Sequence, residues 1–173
     1  LMKIAAGVYQ PDGGEIRLDG RPVTFPGPAD AIAAGVSLIH QELNLAENLA
    51  VADNLFLGRE VTTGGRLRVL NRRAMAARAA ELLGRVGLPA AVARVRVELL
   101  SPGEKQLVEI ARALGLDVRV LIRDEPTSSL TQRETERLYG VIDALKTAGV
   151  SVLYISHRLA EVARCADRVV VLR

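Results

Sequence analysis

Apolar positions along the chain form compact runs that alternate with helical stripes. Four compact apolar runs predict strands, at 36–40, 118–122, 150–155 and 169–172. Two shorter runs, 15–18 and 22–25, are separated by Asp19 and Gly20, a dipeptide that is typical of a two-residue hairpin turn. The pattern therefore predicts several buried strands and one short antiparallel hairpin.

Helices are predicted between these strands from apolar stripes and from capping residues. The three longer ones are expected at about 71–86, 101–116 and 131–146. Shorter helical patterns lie at 1–6, 28–34 and 51–58, and one more follows residue 157. Strands that alternate with helices in this way indicate an α/β fold with a mostly parallel sheet.

The helical stretch in the middle of the chain suggests an internal division of one domain, 1–173. We interpret about 1–45 and 118–173 as the sheet core, and about 46–117 as an inserted α-helical subdomain. The first residues resemble the tail of a helix that has no cap before it. This predicts a domain that is incomplete at the N-terminus.

Composition narrows the class of protein. Hydrophobic residues make up 49% and charged residues 25% of the chain, which is typical of a globular domain. No apolar run approaches the ~18 residues that a membrane-spanning helix needs. The single cysteine, Cys165, excludes an internal disulfide. A net charge of +3 is compatible with nucleic-acid binding. The basic residues are scattered, however, and aromatic residues, on which bases could stack, make up only 3% of the chain. We therefore expect no nucleic-acid partner.

Two adjacent carboxylates, Asp124 and Glu125, follow the apolar run at 118–122. Ligands of α/β folds bind at the carboxyl ends of strands, where consecutive side chains point in opposite directions. One acid can hold Mg²⁺, and the other can orient or deprotonate a water that attacks a phosphate. On these two residues alone, a purely structural acid pair remains an alternative.

A second candidate is the start of the helix at 101–116. Ser101 and Glu104 form a capping-box pattern, and Gly103 permits a ligand to approach the backbone closely. A helix N-terminus with free N–H groups and a hydroxyl is suited to bind phosphate. A well-capped helix without any ligand is the alternative.

Two further polar residues follow strand-like runs. His157 comes after 150–155, and its imidazole can donate a hydrogen bond to a γ-phosphate. Gln41 comes after 36–40, and its amide can contact Mg²⁺ or the attacking water. Each has a structural alternative, and we interpret the neighbouring His40 as structural.

The order and spacing of these four elements resemble the ATPase domain of ABC transporters over essentially the whole chain. By this resemblance Gln41 matches the Q-loop, and Leu100–Gln106 matches the signature motif. The resemblance implies that Ser101, Gly103 and Glu104 contribute to ATP binding.

The remaining motif residues follow the same order. Asp124 matches the acid of the Walker B motif, which serves the metal together with Gln41. Glu125 matches the catalytic carboxylate, and His157 matches the switch histidine. The segment Ser128–Thr131 matches the D-loop, and within it Ser129 is expected to contact ATP.

Stretches 40–45, 54–60 and 108–114 are similar to those of monosaccharide importers of the ribose, xylose and galactose type. In that group one polypeptide carries two ATPase domains, and 125–131 resembles the first of them. The resemblance implies a P-loop NTPase-like core, with ATP and Mg²⁺ as cofactors. It also implies transmembrane permease subunits, a periplasmic or extracellular sugar-binding protein and a second ATPase domain in a head-to-tail sandwich as partners. The expected location is the cytoplasmic face of the cell membrane.

Two features depart from the family pattern. The sequence holds no Gly-x-x-x-x-Gly-Lys-Ser/Thr motif, whose place Lys3 cannot take, so we expect the isolated chain to bind ATP poorly. Arg123 stands where the family usually has an apolar residue, and it must either pair with a nearby acid or reach solvent. Two other functions remain open: a non-transport ABC-type ATPase of translation or DNA repair, and a non-catalytic fragment.

Overall fold

The computed structural model describes residues 1–39, 44–63, 69–124 and 130–171, with Asp124 described by its backbone alone. The helices are α1 (Met2–Ala5), α2 (Pro28–Ala33), α3 (Val51–Phe56), α4 (Arg72–Arg85), α5 (Pro102–Leu114), α6 (Gln132–Thr147) and α7 (Leu159–Cys165). The strands are β1 (Ile16–Leu18), β2 (Arg21–Val23), β3 (Val36–Ile39), β4 (Thr62–Thr63), β5 (Val69–Leu70), β6 (Val120–Asp124) and β7 (Ser151–Ile155). Two short 3₁₀ turns cover Ala90–Arg94 and Val97–Leu99.

A parallel sheet of three strands, in the order β3-β6-β7, forms the centre of the fold. Its pairing register aligns Ile39 with Arg123 and Asp124 with Ile155, so the carboxyl ends of all three strands lie at one edge. Strands β1 and β2 form the predicted antiparallel hairpin. At its turn, Asp19 has a φ of 49° and Gly20 a φ of 76°, which are the left-handed conformations that such a turn requires. The α/β fold class and the hairpin are thus confirmed.

Alternating side chains of β6 face two separate apolar clusters. Leu121 belongs to the larger cluster, which includes the buried faces of α3, α4, α5 and α6. Ile122 faces the other side of the sheet, where it packs with Phe25 and Ala31. Both β6 residues are fully buried. Because side chains alternate across a strand, this one segment connects both layers of the fold.

The three longer helices begin at the residues that the sequence indicates. Asn71 caps α4 by accepting a hydrogen bond from the Ala74 amide at 2.9 Å. Ser101 and Thr131 are the N-caps of α5 and α6, and each forms a complete capping box. These local contacts satisfy helix amides that would otherwise lack a partner, which explains why the boundaries could be predicted. The division at about 45 and 118 stays a prediction, since the helical stretch shares one apolar cluster with the sheet.

Two sequence predictions about strands are wrong. The run at 169–172 was expected to be a strand, but 169–171 has no strand conformation, and the side chains of Val170 and Val171 are 78% and 79% exposed. Apolar β-branched residues suit a sheet, yet a strand forms only where a neighbouring strand accepts its hydrogen bonds. Conversely, no strand was predicted between 59 and 70, where the structure contains the pair β4 and β5; strands of two residues are too short to leave a sequence pattern.

Candidate functional site

The carboxyl ends of β3, β6 and β7, next to which several of the predicted site residues stand in the sequence, lie at one edge of the parallel sheet. Strand β6 ends at Asp124, and β7 ends at Ile155, directly before the turn that holds His157. Strand β3 ends at Ile39, two residues before Gln41. The described strand ends next to Gln41, Asp124 and His157 therefore lie at one edge of the sheet, and the assembly of the motifs there stays a prediction. The side chain of Asp124 and the residues Gln41, Glu125 and Ser129 lie outside the described residues.

The N-terminus of α5 is built by the capping residues predicted from the sequence. The Ser101 hydroxyl accepts a hydrogen bond from the Glu104 amide at 3.2 Å, and the Glu104 carboxylate accepts one from the Ser101 amide at 2.9 Å. Pro102 occupies the first helical turn, where its missing N–H costs nothing. This arrangement gives Glu104 a capping role and leaves Ser101 Oγ able to donate its proton to an acceptor.

A carboxylate from α6 accepts a hydrogen bond from the Ser101 hydroxyl. Oε1 of Glu134 accepts hydrogen bonds from Ser101 Oγ at 2.8 Å and from the Gly103 amide at 3.2 Å. Its other oxygen, Oε2, accepts from the Thr131 amide at 3.0 Å and from the Thr131 hydroxyl at 2.8 Å. The α5 N-terminus therefore already holds a negatively charged oxygen between a hydroxyl and a helix amide. The sequence showed Glu134 only as a helix cap; nothing in the pattern indicated its contact with Ser101.

Charge-assisted hydrogen bonds explain the electrostatics of Glu134. The backbone hydrogen bond from Thr131, followed by those from the Ser101 and Thr131 side chains, lowers the pKa of its carboxyl from 4.5 to about 2. Gly103 makes the contact sterically feasible. A Cβ atom at Gly103 would lie 2.5 Å from Glu134 Oε1, so any larger residue would displace the carboxylate. Glycine is required here for the close approach of this carboxylate, while approach of a ligand to Gly103 stays a prediction.

His157 lies in an exposed turn between β7 and α7. Four residues further along the chain, in α7, is Glu161, whose side chain is buried with 4% exposure. Its Oε2 accepts hydrogen bonds from Tyr154 Oη at 3.0 Å and Ser156 Oγ at 2.8 Å. Arg158 forms an ion pair with Oε1 at 3.0 Å. Burial, followed by the Glu161 charge, raises the pKa of the Tyr154 hydroxyl. Nothing in the sequence pattern indicated a role for Glu161.

Arg123 turns inward rather than towards solvent, and its described hydrogen bond is to an amide on α5 rather than to an acid, so neither arrangement expected from the sequence is the one observed. Its side chain is 2% exposed, and Nη2 donates to Gln106 Oε1 on α5 at 2.8 Å. Burial lowers the pKa of Arg123 to about 10, although the charge of Glu109 acts in the opposite direction. Burial also raises the pKa of Glu109, whose Oε1 accepts from the Asn44 amide at 2.8 Å. These polar groups connect β6 to α5 and to Asn44, just beyond the segment that holds Gln41.

Oxygen ligands are the chemistry that Mg²⁺ prefers, and the predicted metal residues Asp124 and Gln41 would both supply them. The register of β3 and β6 aligns Ile39 with Arg123, so the described carboxyl ends of these two strands lie at the same edge of the sheet. Within the described residues no group of three or more His, Cys, Asp and Glu forms a metal site. The magnesium site therefore stays a prediction.

The fold is of the ATP-binding cassette type. A solved nucleotide-free ATP-binding cassette from an ABC transporter superposes with a TM-score of 0.81 at 22% identity, over 96% of this chain and 68% of that one. A family model described as "ABC transporter" matches residues 1–128. The chain belongs to the ABC transporter family.

Relatives of known description extend over the whole chain. A Burkholderia cenocepacia protein, described as a ribose/galactose/methyl galactoside import ATP-binding protein, is 51% identical over 100% of this chain and 33% of its own length. The ribose import ATP-binding protein RbsA 1 of Rubrobacter xylanophilus is 49% identical over 100% of this chain and 34% of its own length. The chain thus spans about a third of these relatives. Among its described helices, none combines the length and apolar character needed to cross a bilayer.

Proposed function

We propose that the protein containing this chain is an ATP-binding subunit that hydrolyses ATP to drive import of a sugar through a membrane permease. The observation that carries the proposal is the α5 N-terminus, where Ser101 Oγ and the Gly103 amide converge on one anionic oxygen. Similarity over the whole chain to ribose and galactose import ATP-binding proteins supports a monosaccharide as the transported molecule.

In this proposal, the oxygen that α5 now holds marks the place of a γ-phosphate. A second ATPase domain packs head to tail against this one, and its bound ATP presents the γ-phosphate to Ser101 and Gly103. Hydroxyl and helix-amide donors suit a phosphate oxygen as well as a carboxylate oxygen, since both are acceptors of charge-assisted hydrogen bonds. Glu104 supports the site as the cap of α5, and Ser129 contacts the nucleotide from the D-loop. Glu134 must release Ser101 when the phosphate binds.

The hydrolytic groups are assigned at the carboxyl edge of the sheet. Glu125 polarises the attacking water, and His157 steadies the γ-phosphate. Asp124 and Gln41 hold Mg²⁺, which when bound supplies positive charge against the phosphate oxygens. The parallel register of β3, β6 and β7 supports these assignments, because the strand ends next to these residues in the sequence lie at one edge of the sheet.

Partners follow from the same proposal. Transmembrane permease subunits and a periplasmic or extracellular sugar-binding protein complete the system, and the ATPase domain lies at the cytoplasmic face of the membrane. A groove of about 880 Å³ between α3, α4 and the first 3₁₀ turn supports contact between the helical stretch and the permease. Alanines line most of its floor, and Arg72, Arg73 and Arg94 contribute cationic groups. Small side chains leave room for a partner helix, and the guanidinium groups suit acidic residues beside it.

The isolated 173-residue chain should bind ATP poorly and hydrolyse little of it. Its sequence contains no phosphate-binding motif, whose backbone amides and lysine hold the β- and γ-phosphates. Titration of the purified chain with Mg²⁺ and ATP tests this directly. Tight magnesium-dependent binding would contradict it.

The central experiment uses the full-length product of the gene, assembled with its permease. A Glu125→Gln substitution should abolish steady-state ATP hydrolysis while the affinity for ATP stays within about threefold, because the amide keeps the shape but cannot act as a base. Glu136→Gln, an exposed position on α6, is the matched control and should keep normal turnover. Undiminished hydrolysis in Glu125→Gln would reject the assignment, and ATP-independent sugar uptake would reject the function.

A further inference from the structure

Glu161 is a buried carboxylate to which the proposed hydrolysis assigns no role. It lies in the first turn of α7 and is 4% exposed. Burial of a carboxylate is unfavourable unless hydrogen bonds and a counter-charge compensate for the lost water. The location of those compensating groups therefore indicates what the carboxylate does.

The compensating groups in the described part of the chain come from the segment that surrounds His157. Tyr154 Oη and Ser156 Oγ donate to Oε2 at 3.0 Å and 2.8 Å, and Arg158 pairs with Oε1 at 3.0 Å. The Arg158 amide also donates to Ser156 Oγ at 3.0 Å. Ser156 and Arg158 are the two sequence neighbours of His157, and one carboxylate binds both of them.

This arrangement fixes the turn at both ends. Strand β7 ends at Ile155, and Arg158 is the N-cap of α7, with its carbonyl accepting from the Glu161 amide at 3.0 Å. The three residues between strand and helix are thus closed into a loop by side-chain and backbone hydrogen bonds together. A backbone held on both sides limits the directions in which the central side chain can point.

We propose that Glu161 is a positioning residue that fixes the orientation in which His157 faces the carboxyl edge of the sheet. Glu161 acts through Ser156 and Arg158 and does not itself touch the nucleotide. The inference rests on the proposed function, because orientation of His157 affects turnover only if the imidazole contacts a γ-phosphate. A carboxylate suits this task better than an apolar residue, since only an acceptor with two oxygens can bind all three donors at once.

Kinetics of the full-length protein give the first test. Glu161→Ala should lower kcat for ATP hydrolysis about 10- to 100-fold, because a displacement of about 1 Å in a catalytic group has effects of that size. KM for ATP should change less than about threefold, because the groups that hold the ground-state nucleotide are elsewhere. Glu161→Gln keeps an oxygen that can accept from Tyr154 and Ser156 but loses the charge facing Arg158, so its kcat should be intermediate. Glu136→Gln is again the control.

A spectroscopic test reports the orientation without any hydrolysis. The 173-residue chain contains two histidines, His40 and His157, so selective ¹⁵N-histidine labelling gives two imidazole spin systems. A His157→Gln sample assigns them by loss of one set. Glu161→Ala and Ser156→Ala should both shift and broaden the His157 signals and leave those of His40 unchanged. Unchanged His157 signals in both variants would overturn the proposal, whatever the kinetics.

The two tests separate failure of the inference from failure of the proposed function. If His157→Ala abolishes turnover while Glu161→Ala leaves kcat and the His157 signals unchanged, the inference is wrong and the function stands. If His157→Ala leaves turnover unchanged, the role of His157 in hydrolysis is wrong, and the imidazole signals alone then decide whether Glu161 orients it. Thermal unfolding by circular dichroism identifies any variant that fails to fold. In that event Glu161→Gln and Ser156→Ala, which are smaller changes, decide the outcome.

Discussion

Removal of the Glu134 charge should weaken the fold in a strongly pH-dependent manner. This carboxylate accepts hydrogen bonds from Ser101 and Gly103 of α5 and two more from Thr131 at the start of α6. A Glu134→Gln substitution keeps the size and one acceptor oxygen. Its amide nitrogen, however, cannot accept from the Thr131 donors. The substitution therefore isolates the charge-assisted part of a contact that joins two helices.

The sign follows from the direction of the pKa shift. The fold lowers the pKa of Glu134 from 4.5 to about 2, so the folded state binds a proton on this group less readily than the unfolded chain does. The stabilisation is therefore fully present above pH 4.5 and is lost as the pH falls towards 2. A shift of this size corresponds to about 3 kcal/mol at most, and solvent screening of a carboxylate that water reaches reduces it to about 1–2 kcal/mol.

Urea unfolding followed by circular dichroism at 222 nm, between pH 7 and pH 2.5, measures the difference. At pH 7 the free energy of unfolding of Glu134→Gln should lie about 1–2 kcal/mol below that of the unmodified chain. The difference should narrow steadily below pH 5, and about a quarter of it should remain at pH 2.5, which is still just above the lowered pKa of Glu134. Glu136→Gln, an exposed neighbour on the same helix, should track the unmodified chain throughout. A difference independent of pH, or equal effects of the two substitutions, would refute the reasoning.

Two other substitutions test the polar groups buried in the larger apolar cluster. Arg123→Met should raise the free energy of unfolding at pH 7 by about 1–2 kcal/mol. Burial of the Arg123 charge is unfavourable, as its pKa lowered to about 10 indicates, and loss of the hydrogen bond to Gln106 offsets only part of the stability gained when that charge is removed. A variant that is less stable in urea unfolding would contradict this. Asn54→Ala should lower the free energy of unfolding by about 2–4 kcal/mol. The fully buried Asn54 amide forms hydrogen bonds with the backbone N–H and carbonyl of Ala46 and with the carbonyl of Ala50. Glu81→Ala on the exposed face of α4 is the control, and equal loss in both variants would show that Asn54 has no special role.

Local patterns in the sequence were sufficient to predict most of the fold. Caps at Asn71, Ser101 and Thr131 determine where helices begin, because their side chains bond amides only two or three residues away. Apolar runs located β3, β6 and β7, because apolar and β-branched residues favour strands. The burial on both faces that such runs predict was wrong for β7, where Ser151 and Leu153 are exposed. The same reasoning failed at 169–171, where apolar residues occur without a neighbouring strand to pair with.

The candidate site likewise has features that the sequence predicted and contacts that it did not. Motif order placed Gln41, Ser101, Gly103, Asp124, Glu125 and His157 at strand ends and at a helix start, and the strand register then brought the described segments to one edge. Contacts between residues distant in sequence had no local signature. Glu134 lies 33 residues from Ser101, and Arg123 lies 17 residues from Gln106, yet each pair is joined by a 2.8 Å hydrogen bond.

The sequence by itself determined the helix boundaries, the order of the strands along the chain and the chemical character of the motif residues, because each of these depends on near neighbours. Only the tertiary structure decided which groups satisfy the charges of Glu134, Glu161 and Arg123. A buried or partly buried charge takes its partner from whatever element packs against it, and that element is set by the packing of the whole domain. The contact of Glu134 with the N-terminus of α5, and the hydrogen bonds of Glu161 to the turn that holds His157, could therefore be recognised only in the folded domain.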